Sequence, residues 1–363
     1  MKLLVDSDEF WSVLSADIRS AQDAVYIQTL SFEGDRVGTA LVDALDGSAC
    51  HDRRILVDAY TRVIQNDRFL YSPASLFDRE LRAEVRATSR LIERARERGI
   101  GVQFTNPMGP LLVRLPARNH KKMMVIDDRV CYLGGLNFSE HNFAWHDLMV
   151  RIEDPAIAAF LKQDFLSTWA GDDVPRTGMF PGIDVHCCDG RTNAGVFQRV
   201  FDCMEAARES IFVESPYLTS PFCEKLAEAR RRGVRVTIVS PEANNHTPMK
   251  KYIIRESRRH DFDLRLYQGR MTHLKAMLVD DRWLIVGSSN FDVLSYYLHQ
   301  ETVAIVTDPD LIADFQERVM RLDLDQSHPI PAGDGGLGGL FAYGQVQLAA
   351  KVALLLCRPA AAS

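Results

Sequence analysis

Positive charge is not in excess in this chain: 43 Lys and Arg against 49 Asp and Glu leave a net charge of −6 over 363 residues. Whole-molecule attraction to a polyanion is therefore not its organising principle, although local basic patches remain allowed. Lysine itself is scarce, with only nine in the chain. There is no CxxC pair. The seven cysteines (Cys50, Cys131, Cys187, Cys188, Cys203, Cys223 and Cys357) are odd in number and scattered, and adjacent Cys187 and Cys188 are poorly placed to bridge each other. That predicts free thiols in a reducing, cytoplasmic compartment. The first residues, Met1 to Asp6, hold one Lys and a three-residue apolar run, too short for a secretory signal. A hydrophobic fraction of 46% with 25% charged residues excludes disorder, collagen-like structure and a multi-span membrane protein. The length predicts two domains or one large one.

Internal repetition decides the organisation. Ala24–Phe32 resembles Ser210–Leu218, Arg53–Asp58 resembles Val234–Val239, and a basic helical stretch from about Ser75 to Arg98 has its counterpart in Met249–Arg259. Met123–Ile126 matches Ala276–Val279, and Val130–Leu133 matches Trp283–Val286. Val150–Pro155 matches Ala304–Pro309, each ending in Asp-Pro and leading into a helix. Over a long stretch the landmarks sit 153 or 154 residues apart, a register that chance similarity of two strands would not keep. The chain thus reads as two copies of one α/β unit, with short Val/Ile/Leu-rich strands alternating with helices and sheets buried on both faces. The expected limits are 1–175 and 176–326, joined by a linker with turn chemistry from Gly171 to Gly182. Residues 327–363 form a Gly/Pro linker and an apolar tail. Within that tail Leu340–Cys357 is about long enough to cross a bilayer of ~20 residues as a helix, but Gln345, Gln347 and Lys351 make crossing costly. A helix packed on the body or lying in an interface is expected instead.

Each copy carries the same polar string in its most apolar neighbourhood. His120, Lys122, Asp127, Gly134 and Asn137 recur as His273, Lys275, Asp280, Gly287 and Asn290, at identical offsets of +2, +7, +14 and +17 from the histidine. Each His-x-Lys reads as strand, where alternation projects His120 with Lys122, and His273 with Lys275, to one face. Two histidines, two lysines and two asparagines make a donor-rich set suited to a phosphoryl group, whose equatorial oxygens carry the negative charge of the transition state. One imidazole can attack phosphorus while the other protonates the leaving oxygen and later deprotonates an incoming alcohol or water. Each histidine then needs a partner on its far nitrogen. Asp147, 27 residues after His120, and Glu301, 28 after His273, are the candidates.

These strings, His120-Lys-Lys122-Met-Met-Val-Ile-Asp127 and His273-Leu-Lys275-Ala-Met-Leu-Val-Asp280, resemble the duplicated HxKxxxxD motif of the phospholipase D superfamily. Gly134-Gly-Leu-Asn137 and Gly287-Ser-Ser-Asn290 resemble its GG/GS-x-N extension. The flanks around Trp145-His-Asp147 and from Asn290 to Glu301 resemble the bacterial cardiolipin synthase branch, and the likeness covers roughly residues 5 to 325. It departs at Leu294, where that branch usually has Arg, and at His299, where it usually has Asn; both bear on acceptor and head group. The resemblance implies two similar α/β sandwich halves packed about a pseudo-twofold axis, with both motifs in one active site between them. It implies His120 as nucleophile and His273 as general acid/base, though the near-symmetric strings leave the reverse open. It pairs Glu301 with His120 and Asp147 with His273, makes Asp127 and Asp280 structural, and requires no metal or organic cofactor.

Blander readings apply elsewhere. His141 and His146 lack zinc-ligand spacing, and His146 reads as lining the pocket or the surface. His186-Cys187-Cys188 reads as a buried strand start, and Arg230–Arg232 and Arg258–Arg259 read as solvated helix faces, with a lipid-head-group or nucleic-acid role as the alternative. The expected function is phosphatidyl transfer or phospholipid hydrolysis, with a phospholipid substrate, an alcohol or water acceptor, and peripheral docking at the inner face of a membrane. Docking would use the tail or exposed apolar loops such as Phe69–Tyr71 and Pro110–Val113. Two rivals stay open: a nuclease or other nucleic-acid phosphodiesterase with the same chemistry, disfavoured by the negative charge and the lack of a basic-aromatic strip, and a non-catalytic lipid-binding module.

Overall fold

The computed structural model describes residues 1–330 and 337–357, which divide into two compact units, Met1–Arg176 and Thr177 onward. The first unit is built from β1 (Lys2–Val5), α1 (Asp6–Ser20), β2 (Ala24–Thr29), α2 (Arg36–Asp46), β3 (Asp52–Asp58), α3 (Arg79–Glu97), β4 (Gly101–Thr105), β5 (Met123–Ile126), β6 (Val130–Gly134), β7 (Leu148–Glu153) and α4 (Pro155–Ala170). These seven strands form one sheet in the order β1-β7-β6-β5-β2-β3-β4, and two further short strands, Ile64–Gln65 and Arg68–Phe69, pair separately. β2, β3 and β4 run parallel, and β5 closes against β2 antiparallel with Gln28 opposite Met123.

The second unit repeats this plan. Its elements are β8 (Arg176–Phe180), β9 (Ile183–Cys187), α5 (Ala194–Ala206), β10 (Ser210–Glu214), α6 (Phe222–Arg231), β11 (Arg235–Pro241), α7 (Thr247–His260), β12 (Asp263–Tyr267), β13 (Ala276–Val279), β14 (Trp283–Gly287), β15 (Thr302–Val306), α8 (Pro309–Phe315), β16 (Ser327–Pro329) and α9 (Leu337–Cys357). The sheet order is β8-β9-β15-β14-β13-β10-β11-β12-β16. Without the outermost strands it is the first sheet strand for strand, and Glu214 again lies opposite the first residue of the fifth strand, Ala276. The chain is an α/β protein of two similar halves.

Alternation explains why both faces of each sheet are covered. Val25 and Ile27 join a core with Phe10, Leu41 and Leu91 from α1, α2 and α3, while Tyr26, pointing the other way, stacks on Phe165 of α4 with ring centroids 4.9 Å apart. In the second unit Ile211 and Val213 join α5, α6 and α7, and Phe212 meets Phe315 of α8 at 6.2 Å. The Asp-Pro pairs start their helices as read: Asp154 accepts from the N–H groups of Ala156 and Ile157, Asp308 from that of Leu311, and each proline takes the first turn, where it needs no donor.

Two local expectations are corrected. The basic helix begins at Arg79 rather than near Ser75, because Asp78 caps it and separates it from a short turn, Pro73–Phe77. The stretch Gly171–Gly182 is not all linker: Arg176–Phe180 forms edge strand β8, with Thr177 and Met179 exposed and the residues between them half-buried. The tail forms helix α9, which packs along α7. Tyr343 stacks on Tyr252 (5.4 Å, 5° between planes) and Ala342, Ala350 and Ala353 are buried. Residues 331–336 of the expected Gly/Pro linker, and 358–363, lie outside the described residues.

Candidate active site

In each half the motif sits beside the carboxyl ends of the parallel strands, where open α/β sheets place their ligands. His120 and Lys122 precede β5 rather than lying on it, as do His273 and Lys275 before β13. The expectation of a strand is thus corrected to an extended segment entering one. Neighbouring side chains still diverge: Lys121 reaches Asp164 of α4 in a buried ion pair at 2.6 Å, whereas Lys122 Nζ turns back to donate to the His120 carbonyl at 2.8 Å. Lys275 Nζ donates to the His273 carbonyl in the same way. Lys122 is 0% exposed and Lys275 2%. A lysine buried this deeply is costly to keep charged, and such groups cluster where chemistry needs them.

What holds the histidine segment was not legible in the motif. The residue before each histidine is tied to the penultimate residue of β2 or the last of β10. Gln28 Nε2 donates to Asn119 Oδ1 at 2.9 Å, and the Thr272 hydroxyl donates to the Glu214 carboxylate. In the first half a further anchor lies one residue upstream. Arg118 donates to Asp58 at 2.7 Å, and the Asn119 and Tyr60 N–H groups donate to the same carboxylate. Burial pushes the Asp58 carboxyl up to about 6, against the lowering effect of Arg118 and those N–H groups.

The motif aspartates act at a distance from the histidines. Asp127 accepts from the backbone N–H groups of Gln22, Asp23 and Ala24 (2.8, 2.8 and 3.0 Å), and Asp280 from those of Arg208, Glu209 and Ser210 (2.7, 2.9 and 2.9 Å). Each clamps the turn into β2 or β10. Burial alone would raise both carboxyls, but the three N–H bonds outweigh it and hold them below their ordinary range.

After β6 and β14 the chain must pass close to its neighbour. A Cβ at Gly134 or Gly287 would run into the carbonyl of Leu148 or Thr302. Behind each glycine sits a buried acid. Asp147, 1% exposed, lies against Gly135, where any side chain would strike its carboxylate, and it accepts from the Leu148 N–H. Glu301 is fully buried and accepts from the hydroxyls of Ser288 and Ser295 (2.5 and 2.8 Å). The Gly135/Ser288 difference thus exchanges space for a donor. Asn137 and Asn290 are both buried. Asn137 Oδ1 accepts from the Thr29 hydroxyl and the Ser31 N–H, while Asn290 Oδ1 has no partner among the described residues.

A family model described as cardiolipin synthase, PLD-like domain, matches residues 14–169 and 200–322. The chain belongs to that family. Among curated relatives, cardiolipin synthase 1 of Bacillus anthracis is 25% identical over 357 residues, covering 87% of this chain and 64% of that one. The major cardiolipin synthase of Bacillus subtilis (strain 168) is 25% identical over 347 residues, covering 86% and 67%. The chain therefore spans about two thirds of the length of these relatives. A crystal structure of phosphatidylserine synthase from Haemophilus influenzae Rd KW20 shares the fold, with a TM-score of 0.71 at 15% identity over 97% of this chain and 94% of that one.

The two departures from the cardiolipin synthase branch fall in one turn. Asn193 Nδ2 donates to the carbonyls of Ser295 and His299 (2.8 Å each), and the Leu294 carbonyl accepts from the His299 N–H. His299 Nδ1 lies 3.6 Å from Glu301 Oε1. Asp292, which caps this turn at the Ser295 N–H, has its carboxyl raised by burial, with His299 opposing. His146, read as lining a pocket or the surface, is buried and bonds Asp6 at 2.7 Å. His141 lies 3.7 Å from both Glu33 and Asp67, and burial pushes the Glu33 carboxyl up to about 7, with His141 opposing. His186 meets the Thr177 hydroxyl at the start of the second sheet.

Proposed function

We propose that the protein is a phosphatidyltransferase or phospholipase working through a phosphohistidine. The observation that carries this reading is that both halves hold the same buried lysine, folded back on the carbonyl of the histidine two residues upstream. Membership of the cardiolipin synthase family and the names of its relatives support a phospholipid substrate. His120 attacks phosphorus. The bond to the leaving alcohol oxygen breaks as His273, in its imidazolium form, gives that oxygen a proton. Neutral His273 then takes the proton of an incoming alcohol or water, whose oxygen attacks phosphorus and releases His120. Lys122 and Lys275 offset the charge of the phosphodiester, Asn137 and Asn290 hold its oxygens, and Asp147 and Glu301 orient the imidazoles. Asp127 and Asp280 serve the fold. With two ammonium groups supplying the positive charge, the reading calls for no metal or organic cofactor. The working place is the inner face of a membrane. Exposed Tyr71 and Leu111, and seven free thiols, suit that setting.

The test is product analysis on phosphorus-labelled phosphatidylglycerol vesicles, and separately on single-stranded DNA, both in chelator. Label should move into a diphosphatidyl product or phosphatidic acid, excess glycerol should suppress the diphosphatidyl product, and DNA should stay intact. Cleavage of DNA with the lipid untouched would overturn the reading in favour of a nuclease.

A further inference from the structure

We propose that α9 and the cationic stripe of α7 together form a docking surface for an anionic phospholipid bilayer. The proposal rests on the phospholipid reading for its purpose, but binding can be measured without turnover. Helix α9 buries only one side. Ala342, Ala350 and Ala353 face the body, while Leu340, Phe341, Leu348, Val352, Leu355 and Leu356 are exposed, Phe341 at 70% and Leu355 at 84%. Gln345 and Lys351 are exposed on the same side, but six large apolar side chains dominate it, and an apolar face of this length marks a contact with lipid or protein.

Charge selects the occupant. No Asp or Glu occurs anywhere in α9. Helix α7, beside it, carries Lys251, Arg255 and Arg259 at i, i+4 and i+8, so the three share one stripe. That stripe flanks α9: the Arg255 guanidinium lies 4.3 Å over the Tyr343 ring, and a Cβ at Gly338 would sit 3.9 Å from Lys251 Nζ. Lys251 and Arg259 are exposed, as is Lys351 on α9. The one acid of α7, Glu256, is buried against Arg255 and His260. An apolar face edged by cations, with no exposed carboxylate on either helix, fits the headgroup boundary of an anionic leaflet. A second copy is a poor fit, because a symmetric pairing would bring the same cations together. Lying flat is favoured over crossing: α9 keeps its alanine face on α7, and Lys351 stands mid-helix.

The full chain is mixed with vesicles of phosphatidylcholine alone, or with about one third phosphatidylglycerol, and binding is read by sedimentation. The wild type should bind the anionic vesicles at least about 10-fold more tightly and be released by high salt. Leu348→Ser with Leu355→Ser, both exposed, should weaken that binding about 10-fold. Lys251→Glu with Arg259→Glu should do the same by removing the salt-sensitive part. Both double variants should keep wild-type turnover of a short-chain phospholipid below its micellar concentration. Either double variant binding like the wild type, or a wild type indifferent to anionic lipid, would overturn the proposal. So would a dimer dissolved by the serine pair without vesicle binding, which assigns the face to a second copy, or binding that resists salt and alkaline washing, which assigns it to a spanning helix. Failure to turn over the short-chain lipid would instead strike the catalytic reading and leave the docking result standing.

Discussion

His120→Ala and His273→Ala should each lower turnover of a natural phospholipid by about 10⁴-fold or more while leaving the folded protein intact. Both losses are large for different reasons. Without the attacking imidazole no covalent intermediate forms, and the displacement must be made by water held in the wrong place. Without the second imidazole the leaving alkoxide departs unprotonated, which for an ordinary alcohol is nearly as slow. The two roles separate when the leaving group is changed. A p-nitrophenyl ester needs no proton to depart, so His273→Ala should release one equivalent of nitrophenol in a burst and then stall, lacking the base for the second step. His120→Ala should show no burst. An exchange of these behaviours would reverse the roles and keep the chemistry. A variant of either with near-normal turnover would defeat the assignment. Neither imidazole is a packing residue of its sheet, since each precedes its strand, so thermal unfolding should stay close to wild type.

The second large effect concerns the lysines. Lys122→Met and Lys275→Met, which keep length and apolar bulk, should each lower kcat/KM by about 10²–10³-fold, the range for loss of one preorganised charge at a developing anion. Arginine should not restore activity. Each ammonium is folded back on a carbonyl two residues upstream, a geometry suited to a compact point charge and not to a planar fork. The two losses should be similar, because the two half-sites carry the same bond. A loss confined to one lysine would mean that only one half meets the phosphodiester.

Much of this site could be read from residue order alone. A doubled string at fixed offsets survives because each copy must solve the same local problem: an aspartate to clamp the turn into β2 or β10, a glycine where Leu148 or Thr302 passes too close, and a lysine turned back on its histidine. The repeated strand order follows from the same duplication. Other features left no such trace. Asn119–Gln28 and Thr272–Glu214 do equivalent work with unlike residues, and their partners lie 91 and 58 positions apart. Periodicity does not reach that far, and the chemistry of the pair differs between copies. Strand β8 escaped because Arg-Thr-Gly-Met-Phe is an edge, half-buried on one face and flanked by Pro175 and Gly182. Edge strands carry weak alternation. The segment before β5 alternates as a strand does, but the regular ladder begins only at Met123.

The most direct measurement is to trap the intermediate. Protein is mixed rapidly with phosphorus-labelled phospholipid, quenched under denaturing alkaline conditions that preserve a phosphorus–nitrogen bond, digested and mapped. Label should appear on the His120 peptide, accumulate in His273→Ala when the labelled substrate is the p-nitrophenyl ester, and vanish when His120 is alanine. Turnover with no label on either histidine-bearing peptide would contradict the account.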